Sequence, residues 1–201
     1  MTTDTFFKQL QHPNPNLRER AIWGLAEITD DDTIIPRLMD NLTSEDMVYR
    51  RASVRALGAI GLPAVTALIE TLNTSNDETA RASCVKALAQ VAVQSEEGTF
   101  PDAGMEALNQ GMEDENPVVQ LASVMALGQV GLPALDILIT AMKTTENVAV
   151  ATSIANTLGS INDPKSVAAL QEVIDDDTTD PYVKELAQSS LGRMKMFPTN
   201  V

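Results

Sequence analysis

A stretch of eighteen residues occurs twice in this chain, and the repetition restricts its fold more than any other feature. Residues 52–69 laid over 122–139, an offset of 70, agree at 12 of 18 positions. Both copies read A-S-V-x-A-L-G and then G-L-P-A. A finer period runs inside the duplication: Leu25, Leu57, Leu88, Leu127, Leu158 and Leu191 stand 32, 31, 39, 31 and 33 residues apart. Eleven residues before each comes Asn14, Asp46, Asp77, Asn116, Asn147 or Asp180. Such a side chain can cap a helix by accepting from a free N–H of its first turn. Pro follows Asn14, Asn116 and Asp180, at the one helical position where its missing N–H costs nothing.

After each cap the apolar residues recur with helical spacing. Tyr49, Ser53, Ala56, Leu57 and Ile60 form one stripe, matched by Val119, Ser123, Ala126, Leu127 and Val130. Small residues at 52, 53 and 56 let neighbouring helices approach closely. Gly61 and Gly131 read as helix stops, and Pro63 and Pro133 as new starts. The pattern predicts first helices over 3–11, 33–42, 63–73, 101–112, 133–143 and 164–175. It predicts second helices over 15–29, 47–60, 77–93, 117–130, 147–160 and 181–195. One hairpin cannot bury its own apolar face, whereas stacked hairpins share a core. The expected fold is therefore all-α: an α-solenoid (superhelix) of six helical hairpins in a single domain over 1–201. An irregular loop at 94–101 absorbs the long spacing, and a tail from 196 falls off the pattern.

Composition narrows the function. Aromatic residues make up 3%, which suits closely packed helices better than a β-sandwich. The net charge of -14 repels nucleic acid. The N-terminus has neither the basic region nor the apolar run of a signal peptide, and no transmembrane segment is expected, since no stretch approaches ~18 apolar residues. With one cysteine, Cys84, an internal disulfide is excluded and a reducing, cytoplasmic location is expected.

A search for catalytic groups assigns no catalytic residue and no metal ligand. His12, the single histidine, reads as a surface loop residue. One His and one Cys cannot build a zinc site of either usual type. Cys84 aligns with Ser53 and Ser123, so it reads as a small buried residue, a reactive thiol being the alternative. The acidic runs at 30–32, 113–115 and 175–177 fall in turns and lack the pattern of a calcium loop. A self-contained enzyme is disfavoured.

Second helices of stacked hairpins line one face. The row two residues before the anchor Leu reads Trp23, Arg55, Lys86, Met125, Asn156 and Ser189, and the row four earlier Glu19, Arg51, Ala82, Leu121, Thr152 and Glu185. Two readings stand. In one, Trp23, Leu121 and Met125 pack on neighbouring repeats or are scattered surface apolars. In the other, they join Arg51, Arg55 and Lys86 in a groove for an acidic or carboxylate-bearing partner. A separate series, Arg18, Arg50, Arg81 and Lys184, stands four residues after a cap and reads as a structural ladder bonding back to the cap and its turn.

The unit Asp/Asn-x-x-hydrophobic-Arg-x-x-Ala-x-x-Ala-Leu-Gly-x-Ile, seen with slight variation at 46–60, resembles a HEAT-like repeat, and the resemblance extends over 3–195. The segments 14–25 and 49–58 resemble the small HEAT-like proteins of cyanobacteria and red-algal plastids that serve phycobiliproteins. That group comprises two-subunit bilin lyases, lyase-isomerases, chaperone-like companions of lyases and factors of phycobilisome breakdown. The resemblance implies a protein that cradles a phycobiliprotein subunit, its open-chain bilin, or both, in the cyanobacterial cytosol or plastid stroma. No resident cofactor is implied, only transient binding of phycocyanobilin or phycoerythrobilin. In the lyase reaction a linear tetrapyrrole adds to a cysteine of the acceptor protein, so the lyase needs no thiol of its own. In that role Arg51, Arg55 or Lys86 holds bilin propionates and Trp23 packs on a pyrrole ring. The Asn-His-Cys signature of the lyase-isomerases is missing, since Cys84 stands between Ser83 and Val85. The expected function is a non-catalytic, chaperone-like factor that holds a phycobiliprotein subunit during bilin attachment or phycobilisome biogenesis. The alternatives are one subunit of a heterodimeric lyase, with a second HEAT-like subunit as partner, and a generic protein-binding scaffold.

Overall fold

A computed structural model describes residues 1–96 and 98–196. Among these residues lie twelve α-helices: α1 Thr3–Leu10, α2 Pro15–Ala26, α3 Ile34–Asp40, α4 Met47–Ile60, α5 Val65–Thr74, α6 Glu78–Gln94, α7 Asp102–Gly111, α8 Pro117–Val130, α9 Leu135–Thr144, α10 Val148–Leu158, α11 Pro164–Asp175 and α12 Pro181–Met196. The class is all-α, built of stacked hairpins in the manner of an α-solenoid. Two compact units divide the chain, Met1–Ala107 and the residues from Leu108 onward. The off-pattern tail beyond Met196 lies outside the described residues.

Each second helix begins where its cap predicts. Asn14 accepts from the N–H of Asn16 at 2.9 Å, and Asp46 from those of Val48 and Tyr49 at 2.8 and 3.2 Å. Asp77, Asn116, Asn147 and Asp180 do the same for α6, α8, α10 and α12. Each cap contributes about 1 kcal/mol. The predicted starts at Pro63 and Pro133 shift to Val65 and Leu135. Gly61 and Gly131, at φ 78° and 77°, turn the chain into a short 3-10 segment first. There Ala64 donates to Gly61 and Ala134 to Gly131, each at 3.0 Å. Helix α2 stops at Ala26 rather than 29, because Ile28 already donates to Leu25 in a tighter turn.

In the first unit α1 pairs with α2, α3 with α4 and α5 with α6, and α2, α4 and α6 lie side by side. In the second, α9 pairs with α10 and α11 with α12, with α8, α10 and α12 adjacent. The anchors Leu25, Leu57 and Leu88 of one unit and Leu127, Leu158 and Leu191 of the other are buried. Ser53, Cys84 and Ser123 occupy the same fully buried position in their hairpins, where only a small side chain fits between adjacent helices. Helices α4 and α6 approach closely at Gly58, where a Cβ would stand 2.4 Å from that of Gln90.

Three of the four ladder residues bond back to the turn before the cap. Arg18 donates to the carbonyls of His12 and Pro13 at 2.6 and 2.9 Å, Arg50 to that of Ser44, and Arg81 to that of Ser75 at 3.1 Å. Gln120 reaches the Asp114 carbonyl at 2.6 Å in the same way. In all four the shared acceptor lies two residues before the cap, outside either helix, where the backbone supplies no donor. Lys184 lies near Asp176, and its charge helps to depress that carboxylate's pKa.

Arg50→Ala removes a charged donor from a half-buried carbonyl and is expected to cost about 1.5–3 kcal/mol, read as a lowered midpoint in urea. Gly58→Ala would ordinarily stabilise a helix by about 1 kcal/mol. The stem of Gln90 blocks the added methyl, so a net loss of about 1–3 kcal/mol is expected in the same assay.

Candidate functional site

The outward face of the first unit follows from side-chain direction. Residues four apart on one helix share a face, so α2 presents Glu19 and Trp23, α4 presents Arg51 and Arg55, and α6 presents Lys86 and Gln90. Between α4 and α6 opens a recess of about 590 Å³ lined by Met47, Arg51, Val54, Arg55, Lys86 and Gln90 among others. Arg51 and Lys86 are exposed and have no ion-pair partner among the described residues.

Arg55 is not an open anchor. Its Nη1 lies 2.7 Å from Oε2 of Glu19 and its Nη2 donates to Oε1 at 2.9 Å, a bidentate pair linking α4 to α2. The same Oε1 accepts from the indole Nε1–H of Trp23 at 2.9 Å. Trp23 is 48% exposed, so its ring faces solvent while its N–H is held. The hydrogen bond from Arg55, aided by that from Trp23 and by the Arg55 charge, outweighs partial burial and holds Glu19 below the usual glutamate range.

Four of the six groove residues named from sequence, Trp23, Arg51, Arg55 and Lys86, thus belong to the first unit. Leu121 and Met125 belong to the second. There α8 presents Val118, half-buried Leu121 and Met125 as an outward stripe, Met125 being 63% exposed. In the sequence Glu19 stands out only as a member of that row. Its signal was a carboxylate four residues before the single tryptophan, opposite an arginine one repeat on.

The remaining reactive residues have local duties. Cys84 is fully buried and desolvation pushes its thiol up to about 12, so the sulfur stays protonated. His12 accepts from the N–H of Asn14 at 3.0 Å. In the acidic turns, Asp31 accepts from Thr33 and, across to α1, from the Thr3 hydroxyl at 2.8 Å, and Asp176 accepts from Thr178 and Thr179. Among the described residues no three His, Cys, Asp or Glu side chains converge to hold a metal. No single described helix is long and apolar enough to cross a membrane.

Capped hairpins with an outward side-chain face define a helical-repeat protein. Residues 3–89 and 105–192 match the family model of HEAT repeats, and the chain belongs to that family. Within it, the chain is related to proteins of phycocyanin and bilin biosynthesis. It is 44% identical to phycocyanin operon protein Z of Pseudanabaena tenuis, over 98% of this chain and 96% of that one. It is 30% identical to bilin biosynthesis protein CpeZ of a Synechococcus species, over 81% of this chain and 90% of that one. Among solved structures, the complex of CpcE and CpcF of phycocyanin lyase from a Nostoc species shares the fold. The TM-score is 0.52 at 20% identity, covering 77% of this chain and 96% of that one.

Because the folded pKa of Glu19 is depressed, its contribution to stability is present above the unfolded value, about 4.3, and is lost as pH falls through the folded pKa. Emission from Trp23, the single tryptophan, should titrate with a midpoint below the ordinary glutamate value. In Arg55→Ala that midpoint should move upward.

Proposed function

We propose that this chain is a non-catalytic, chaperone-like factor that holds a phycobiliprotein subunit during bilin attachment or phycobilisome biogenesis. The observation that carries this reading is the pair of unpartnered cations, Arg51 and Lys86, at a recess beside exposed Trp23, in a chain of net charge -14. Its likeness to the phycocyanin operon and bilin biosynthesis proteins supplies the biological context. Cations on a mostly anionic protein select acidic partner surfaces and steer their approach. The first unit supplies the cationic contact, and the Val118–Leu121–Met125 stripe of the second supplies an apolar one.

The donor set also suits transient binding of a linear tetrapyrrole such as phycocyanobilin or phycoerythrobilin. Arg51 and Lys86 can each pair with a carboxylate, and the Trp23 face can take a flat ring. The recess falls within the ~300–1,000 Å³ of ordinary small-molecule sites. With Cys84 closed, the nucleophile in any attachment step belongs to the acceptor protein. This chain's part is to orient: its cations fix the carboxylates and its walls shield the reacting atoms from water. A second reading, one subunit of a heterodimeric bilin lyase, rests on that compatibility.

Co-expression with candidate phycobiliprotein subunits and bilin-making enzymes separates the two readings. Stable co-purification with no gain in covalent bilin is the expected result. New covalent adduct selects the lyase subunit, and failure with every subunit selects a generic scaffold. The double variant Arg51→Glu/Lys86→Glu, on exposed positions, should reduce co-purification by about tenfold or more through like-charge contact with an acidic partner, while folding is retained.

A further inference from the structure

Four of the six capped turns share one device, the sixth keeps a lysine, Lys184, that makes no such bond among the described residues, and the fifth lacks even the side chain. After Asn14, Asp46, Asp77 and Asn116, the side chain four residues on reaches back to the carbonyl two before the cap. After Asn147 that position is Ala151, buried and too short to reach. The turns are otherwise alike, Ser44-Glu45-Asp46-Met47 against Thr145-Glu146-Asn147-Val148. The Thr145 carbonyl accepts no hydrogen bond among the described residues. A recess of about 490 Å³ opens at this point, entirely within the second unit. Its lining combines apolar Met142, Val148, Ala151 and Val183 with the carboxylates of Glu146, Glu172, Asp176 and Asp180. Of the cations nearby, Lys143 is already paired with Glu172 at 2.7 Å and Lys184 acts on Asp176 from a distance without an ion pair, whereas Glu146 has no ion-pair partner among the described residues.

We propose that this recess binds the side chain of an arginine presented by a partner protein, which supplies in trans the rung that Ala151 omits. The guanidinium donates to the Thr145 carbonyl and to the carboxylates of Glu146 and Asp176, and its methylene stem lies on Met142 and Val148. Three observations select this occupant. Arg18, Arg50 and Arg81 already make the equivalent bond inside the chain. The lining has the complementary charge, and Asp176, held by Thr178 and Thr179, stays ionised. A carbonyl beside carboxylates suits the several fixed donors of a guanidinium better than a point-charge ammonium. The inference does not rest on the bilin reading, and its probe contains no phycobiliprotein, so either can fail alone.

The test is a heteronuclear NMR titration of the full chain with N-acetyl-arginine methylamide and with its lysine counterpart. Saturable shifts are expected at the amides of Thr145, Glu146 and Val148, with the lysine probe about tenfold weaker. Ala151→Arg, which installs the missing rung, should abolish them, and Glu146→Gln, on an exposed side chain, should weaken binding severalfold. Absence of saturable shifts overturns the proposal, as do equal responses to both probes or shifts that survive in Ala151→Arg. Should that variant fail to fold, unchanged affinity in Glu146→Gln overturns it equally.

Discussion

The close approach of neighbouring second helices is the constraint on which the described structure depends. Gly58 meets the stem of Gln90, Gly128 meets Thr157, and Gly159 meets Ser190, each with room for hydrogen alone. Helices this near cannot rotate freely, because turning one would drive a larger residue into its neighbour. Each therefore shows one fixed row to its neighbours and another to water. The inward rows hold Leu, Ala and the small Ser53, Cys84 and Ser123. What is left outside in the first unit, Glu19, Trp23, Arg51, Arg55 and Lys86, is placed by that packing, and Glu19, Trp23 and Arg55 are further tied to one another by hydrogen bonds.

Much of this was legible in the sequence because the signals were local and repeated six times. A cap side chain meets an N–H two residues on, and the anchor Leu follows at a constant interval, so neither needs knowledge of tertiary contacts. The starts after Gly61 and Gly131 were displaced because a positive φ favours a tight 3-10 turn, which apolar periodicity does not register. Spacing of four placed the ladder and pointed back to the cap and its turn, but it did not single out the acceptor: the long Arg side chain reaches an unsatisfied carbonyl two residues before the cap. The Glu19–Arg55 pair was hidden for a different reason. Its partners are 36 residues apart, and their meeting depends on the stagger of two helices.

The candidate site gains its character from that pair. By occupying Arg55, Glu19 removes one cation from those available to a partner and fixes the edge of the indole. Arg51 and Lys86 are left as the reactive charge of the first unit. The side chains of this face are carried on helices, so their placement does not depend on a loop.

The duplication at an offset of 70 residues acquires a further meaning beside these positions. Ala52, Ser53, Val54, Ala56 and Leu57 recur unchanged as Ala122, Ser123, Val124, Ala126 and Leu127, whereas Arg51 and Arg55 became, or arose from, Leu121 and Met125. Most of the unchanged positions meet other helices, and the exchange of Arg for Leu and Met falls on the outward side. One copied block thus carries two chemically distinct outward faces on the same architecture. Helical repeats of this kind can diversify their ligands by exchanging a few outward side chains per copy.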